Sequence, residues 1–184
     1  MPNYCFNSLD ISGTKSDILS FIEQNKKDEQ YLDFNGSVPM PEELVGTRAP
    51  NLNIESEKSK ELIAKYGACD WYDWSILNWG TKWNATCIED WYIAEDGITA
   101  QINFDTAWGQ PTEWLIAASK KYPNIEFGLE FYEEGNCFIG YYKIINGQFL
   151  VKNEPVWDSE EGINMRKDYG IYDDEQLEDQ DTTI

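Results

Sequence analysis

The chain contains no histidine. Ser-His-Asp and Cys-His catalysis are therefore excluded in their usual forms. It also lacks GxxxxGK[ST] and GxGxxG, the common phosphate cradles. Its four cysteines, Cys5, Cys69, Cys87 and Cys137, form no CxxC pair. Without histidine a zinc site would need thiolates or carboxylates, and this spacing gives no support. The cysteines read as small apolar side chains, and neither a metal nor a cofactor is expected. No apolar run approaches the ~20 residues of a membrane span. The stretch from Met1 to Asn7 has no basic and no apolar region of the secretory kind, so the expected compartment is the cytoplasm. Bases are scarce, 14 against 34 acids, for a net charge of −20. Residues 157–184 alone carry ten acids and two bases. A nucleic acid would meet repulsion instead of counterion release, so direct nucleic-acid binding is not expected. Basic proteins are the natural electrostatic partners.

What is abundant is aromatic. Four of the eight tryptophans fall within Trp71 to Ala85, and 15% of the chain is aromatic. With 41% hydrophobic residues over 184 positions, one folded domain with a real core is expected. Residues 4–11 alternate as a strand and Gly13 ends it. Ile18, Leu19, Phe21 and Ile22 then give a helical stripe closed by Lys26 and Lys27. Pro39 to Leu44 reads as a turn into a helical turn. A short helix follows over 57–66, ended by Gly67. Asp70 is a plausible N-cap for a helix over 71–79 that Gly80 ends. Strands over 86–94 and 98–107 flank an Asp96-Gly97 turn. A helix over 112–121 ends in Lys120 and Lys121, which suits its dipole. A strand over 125–133 and a hairpin over 137–151, turning at Asn146-Gly147, complete the pattern.

The order β-α, helical segment, β-β-α-β is the ferredoxin-like split β-α-β plan. It predicts an α+β fold, an antiparallel sheet with helices on one face. A helical insertion is expected at about 28–83, and an extra C-terminal hairpin after the last strand of the plan. The expected division is a domain over 1–155 and an acidic extension over 156–184.

Several strings coincide in order with one family. They are Pro2-Asn3-Tyr4-Cys5 with Asn7, Leu9, Ile11 and Gly13; Val38 to Leu44; Trp71-Tyr72-Asp73-Trp74 with Asn78 to Ala85; Phe104 with Thr106-Ala107-Trp108 and Pro111; and Tyr132 to Gly135 with Cys137, Phe138 and Gly140. Over roughly residues 1–150 the chain resembles the YubB-type ferredoxin-like domain family carried by bacteriophages and plasmids. The resemblance implies a ferredoxin-like fold and a mobile-element origin, and brings no catalytic residues with it.

Two surfaces are candidate sites. Trp71, Trp74, Asn78, Trp79, Lys82 and Trp108 are candidates for a pocket or partner surface, although rings packed over the sheet explain the tryptophans as well. In that packed reading Asn78 and Thr81 pin the loop. Glu130, Glu133, Glu134, Asp173, Asp174, Glu175, Glu178 and Asp179 are candidates for an acidic surface. The expected function is that of a non-enzymatic acidic interaction protein. Its partner would be a basic host protein or nucleoprotein effector complex, inhibited through mimicry of nucleic acid, in the anti-CRISPR or anti-restriction manner. The alternatives are a small-molecule-binding domain or enzyme built on a tryptophan-lined pocket with carboxylates, and an accessory protein whose acidity serves solubility alone.

Overall fold

A computed structural model describes residues 3–28 and 30–171. Its centre is strand β1 (Tyr4–Ser12), whose even spacing of buried residues follows from the alternation of Cys5, Asn7, Leu9 and Ile11. Helix α1 (Lys15–Asn25) follows, capped by Thr14, whose hydroxyl accepts from the Asp17 N–H. An inserted segment then carries a 3-10 turn at Phe34–Gly36, helix α2 (Glu57–Tyr66) and helix α3 (Trp71–Trp79). Next come β2 (Tyr92–Ile93), β3 (Thr99–Ala107), α4 (Thr112–Lys121), β4 (Glu126–Glu133), β5 (Phe138–Ile145), β6 (Gln148–Asn153) and α5 (Glu160–Asp168).

The six strands form one antiparallel sheet in the order β2-β3-β1-β4-β5-β6. The first four strands in that order realise the split β-α-β plan, and β5 and β6 extend it as the expected hairpin. Asn146 and Gly147 both take positive φ, the backbone that an Asn-Gly turn favours.

The register fixes two faces. One holds Leu9 between Ile102 and Leu129, and Ile11 between Ala100 and Phe127. Helices α1 and α4 bury this face. Phe21 sits at ring distances of 5.1 Å from Phe127 and 6.4 Å from Trp114. The inserted segment belongs to the same core. Phe34 stacks on Trp114 at 4.5 Å and meets Trp79 and Phe104 edge-on. Asn25 binds it to α1, accepting from the Asp33 N–H at 2.6 Å through its carbonyl and from Ser37 Oγ through its side chain.

Two elements depart from expectation. The strand expected over 86–94 shortens to Tyr92–Ile93. Cys87 takes a φ of 48°, which breaks the extended run. Trp91 turns inward, donating from Nε1 to the Tyr31 carbonyl and meeting Phe21 edge-on. Helix α5 lies in the stretch expected to be an acidic extension. It sits against the second face, where Tyr169 reaches the Tyr132 ring and donates to the Gly140 carbonyl. The one-faced arrangement therefore describes α1 and α4, while α5 covers part of the other side.

Candidate functional site

Many of the residues that carry the family resemblance meet at one joint. Asn7 is buried on β1 and donates from Nδ2 to the Cys5 carbonyl, the Phe104 carbonyl and Thr106 Oγ1. Thr106 donates onward to the Gly109 carbonyl, and the Trp108 N–H donates to the Asn3 carbonyl. Thr81 is buried and donates to the Ala107 carbonyl at 2.8 Å. Gly80 ends α3 at a φ of 81°, and a Cβ there would stand 3.1 Å from the Thr112 backbone nitrogen. The motifs thus tie the ends of β3 and α3 to the start of α4.

The tryptophan candidates separate. Trp74 and Trp79 are 5% and 4% exposed and pack edge-on, and Trp79 Nε1 donates to the Val38 carbonyl. Trp71, Trp79, Lys82 and Trp83 line a shallow depression of about 360 Å³ with Met40 and Val45. The Lys82 ammonium lies 4.5 Å from the Trp83 ring. Trp108 is half exposed and does not line that depression, and Asn78 donates to the Trp74 carbonyl within its own helix. Of the candidate rings, Trp71 and Trp79 border the depression, while Trp74 packs into the core.

The acidic candidates also divide. Glu133 is 4% exposed and is not part of the surface, contrary to expectation. Its carboxylate turns back onto the hairpin and accepts from the Gly135 and Asn136 N–H groups at 2.6 and 2.8 Å. Glu134 is exposed on the same turn. Asp173, Asp174, Glu175, Glu178 and Asp179 lie outside the described residues.

Glu130 marks a coherent acidic region that the sequence reading did not assemble. The second face carries Asp105, Phe6, Tyr132 and Ile139 in one cross-strand row. Asn103, Ser8, Glu130, Tyr141 and Asn153 make the next, and Gln101, Asp10, Gly128, Lys143 and Val151 the third. Glu126 follows on the fourth row, paired to Lys143 at 2.9 Å. The strands therefore place four carboxylates and one lysine on this face. Glu89 reaches in from the edge, accepting from Asn103 Nδ2 at 2.9 Å. Asp10 accepts from Gln101 Nε2 at the same distance.

Burial among the strand side chains raises the pKa of Asp10 above the ordinary value, against the Gln101 hydrogen bond that lowers it. Burial likewise raises Asp105, which the Cys87 side chain partly offsets. Glu130 is raised by burial and then by the negative charges of Asp10 and Asp168. All three acids are half-buried, and Glu130 and Asp10 repel one another. A nearby cation relieves both costs. Among the described residues no group of three or more acids or thiols is gathered closely enough to hold a metal ion. Nor is any described helix long and apolar enough to cross a membrane.

The topology and the joint define a ferredoxin-like domain with an inserted helical segment. Residues 77–181 match the family described as the ferredoxin-like domain in Api92-like protein, and the chain belongs to that family. Among solved structures it is similar to the crystal structure of a protein api92 from Yersinia pseudotuberculosis. The TM-score is 0.51 at 11% identity, over 86% of this chain and 99% of that one, a likeness of fold alone. No curated protein matches the chain.

Proposed function

We propose that the protein is a non-enzymatic interaction protein that offers the acidic second face of its sheet to a basic surface of another protein. In this reading it is the product of a mobile element, as its motif resemblance to YubB-type phage and plasmid domains implies, and it acts in the host cytoplasm. Its target is a nucleic-acid-handling defence protein of the kind that anti-CRISPR or anti-restriction factors block. The carboxylates stand where the target expects phosphates.

The observation that carries the reading is the gathering of Asp10, Asp105, Glu126 and Glu130 on one face, with Lys143 alone among the strand cations, in a chain of net charge −20. RNA-binding sheets of similar topology stack bases on aromatic rings of the corresponding surface. Here Phe6, Tyr132 and Tyr141 are present, but carboxylates stand between them, and phosphates would be repelled. The same field steers a basic surface inward and rejects acidic ones. A cationic partner also restores favourable ionisation to acids whose burial disfavours it.

The test is capture on the immobilised full chain from host lysate, followed by elution with duplex DNA. The reading predicts that a nucleic-acid-handling protein is retained, that duplex DNA releases it, and that rising salt weakens it. Retention of no such protein, or retention that DNA does not disturb, contradicts it.

A further inference from the structure

The geometry points to a binding site for a small organic anion in a cavity between residues 47–53 and helix α2. The cavity measures about 460 Å³, within the usual size of small-molecule sites. None of the described residues lining it is acidic, although acids outnumber bases 34 to 14 in the chain. Arg48 and Lys58 line it instead, with Asn51, Asn53 and Ser56 as polar groups and Leu62 in the floor.

Four of the neighbouring acids already have partners, while Glu61, a turn along α2 from Lys58, lines the adjacent depression and makes no ion pair within 4 Å among the described residues. Glu43, which feels the Lys58 charge, is held by Lys65 at 2.6 Å and by the Tyr66 hydroxyl. Glu55 and Glu57 share Lys60 at 3.6 and 3.5 Å. Asp70 is buried behind the cavity and accepts from the Asn51 and Asp73 N–H groups. Arg48 and Lys58 make no ion pair within 4 Å among the described residues. The α2 amino terminus is capped by Ser56 Oγ, which accepts from the Ser59 N–H, so the side chains and not the helix end provide the charge.

Two cations beside an apolar floor, with the side-chain amides of Asn51 and Asn53 close by, fit one ligand chemistry, a carboxylate or phosphate on an apolar body. The Thr47, Ser56 and Ser59 hydroxyls already donate within the protein. The guanidinium offers paired donors to either anion, and the ammonium adds a point charge. Leu52, exposed at the rim, and buried Leu62 supply the apolar lining. The site lies apart from the acidic sheet face and stands or falls independently of the function proposed above.

The experiment is a titration of the full ¹⁵N-labelled chain by NMR with phenyl phosphate, benzoate and uncharged benzyl alcohol. Saturable shifts confined to the amides of 47–59 are expected with one or both anions; which one responds identifies the headgroup. Benzyl alcohol should bind about tenfold or more weakly, the worth of one charge-assisted contact. Arg48→Gln and Lys58→Gln, both at exposed positions, should each weaken anion binding about tenfold with the rest of the spectrum unchanged. The absence of saturable shifts at millimolar probe, or binding by both variants as tight as by the native chain, overturns the assignment.

Discussion

Gly140 shows how closely single residues are fitted in this sheet. A Cβ at that position would stand 2.4 Å from Phe131 Cζ and 2.8 Å from the Asn153 carbonyl oxygen. The glycine makes room for the aromatic ring opposite it in the register. Gly140→Ala is therefore expected to cost about 1–3 kcal/mol of stability. Urea denaturation would show it, and Phe131→Leu in the same background should recover part of the loss. Asn7 is a second such position, since it leaves three backbone or hydroxyl acceptors unserved when removed. Asn7→Ala should cost about 1–3 kcal/mol, and Thr106→Val should be non-additive with it in a double-mutant cycle. The residue-level candidates were legible only in part. The tryptophans of α3 read from the sequence as core or pocket, and packing places Trp74 and Trp79 in the core. Glu133 was misplaced because its charge draws attention, whereas the Gly135-Asn136 turn beside it takes up the carboxylate with two N–H donors.

The elements follow the sequence where alternation and capping agree. β1, β3, β4 and the β5–β6 hairpin come from period-two patterns, and α3 from Asp70 and Gly80 at its ends. Helix α5 escaped notice because it is polar: its buried positions are Gly162 and Arg166. Its signals are a Ser159 cap, acids in the first turn and bases in the last. The shortened β2 could not be read because the pull on Trp91 is tertiary, from Tyr31 and Phe21. The family match over 77–181 also omits an element the sheet needs. β3 and β4 each pair with β1 and are not hydrogen-bonded to one another. A 77–184 fragment should therefore show no cooperative thermal transition by circular dichroism. A synthetic peptide of residues 3–26 should restore one. A cooperative transition of the fragment alone would contradict the central role of β1.

At the scale of the whole molecule the charge dominates. Its sum was legible in the sequence, but its arrangement on one face required the register. The raised pKa values of Asp10, Asp105 and Glu130 mean that folding disfavours their ionised forms. Their contribution to stability is fully present below the unfolded pKa, ordinarily 3.8 for Asp and 4.5 for Glu, and is lost as pH rises through the higher folded values. The lowered pKa of exposed Glu43 acts oppositely, with stability lost as pH falls through its folded value. Three half-buried acids and the net −20 outweigh it, so the melting temperature should rise as the pH falls from 8 toward the raised folded values of these carboxyls. It should also rise on adding salt at pH 8, where screening relieves self-repulsion. A melting temperature that falls on mild acidification would contradict this balance.

A matched pair of charge variants separates an acidic face from acidity in general. Asp10→Asn, Asp105→Asn and Glu130→Gln together remove three charges from the second face. Glu23→Gln, Glu42→Gln and Glu61→Gln remove three from exposed positions elsewhere. With the DNA-displaceable protein captured by the native chain as the probe, the first triple variant should lose binding by about tenfold or more, the worth of ~1.4 kcal/mol, while the second retains it. Equal loss in both variants, or no loss in the first, would contradict the account.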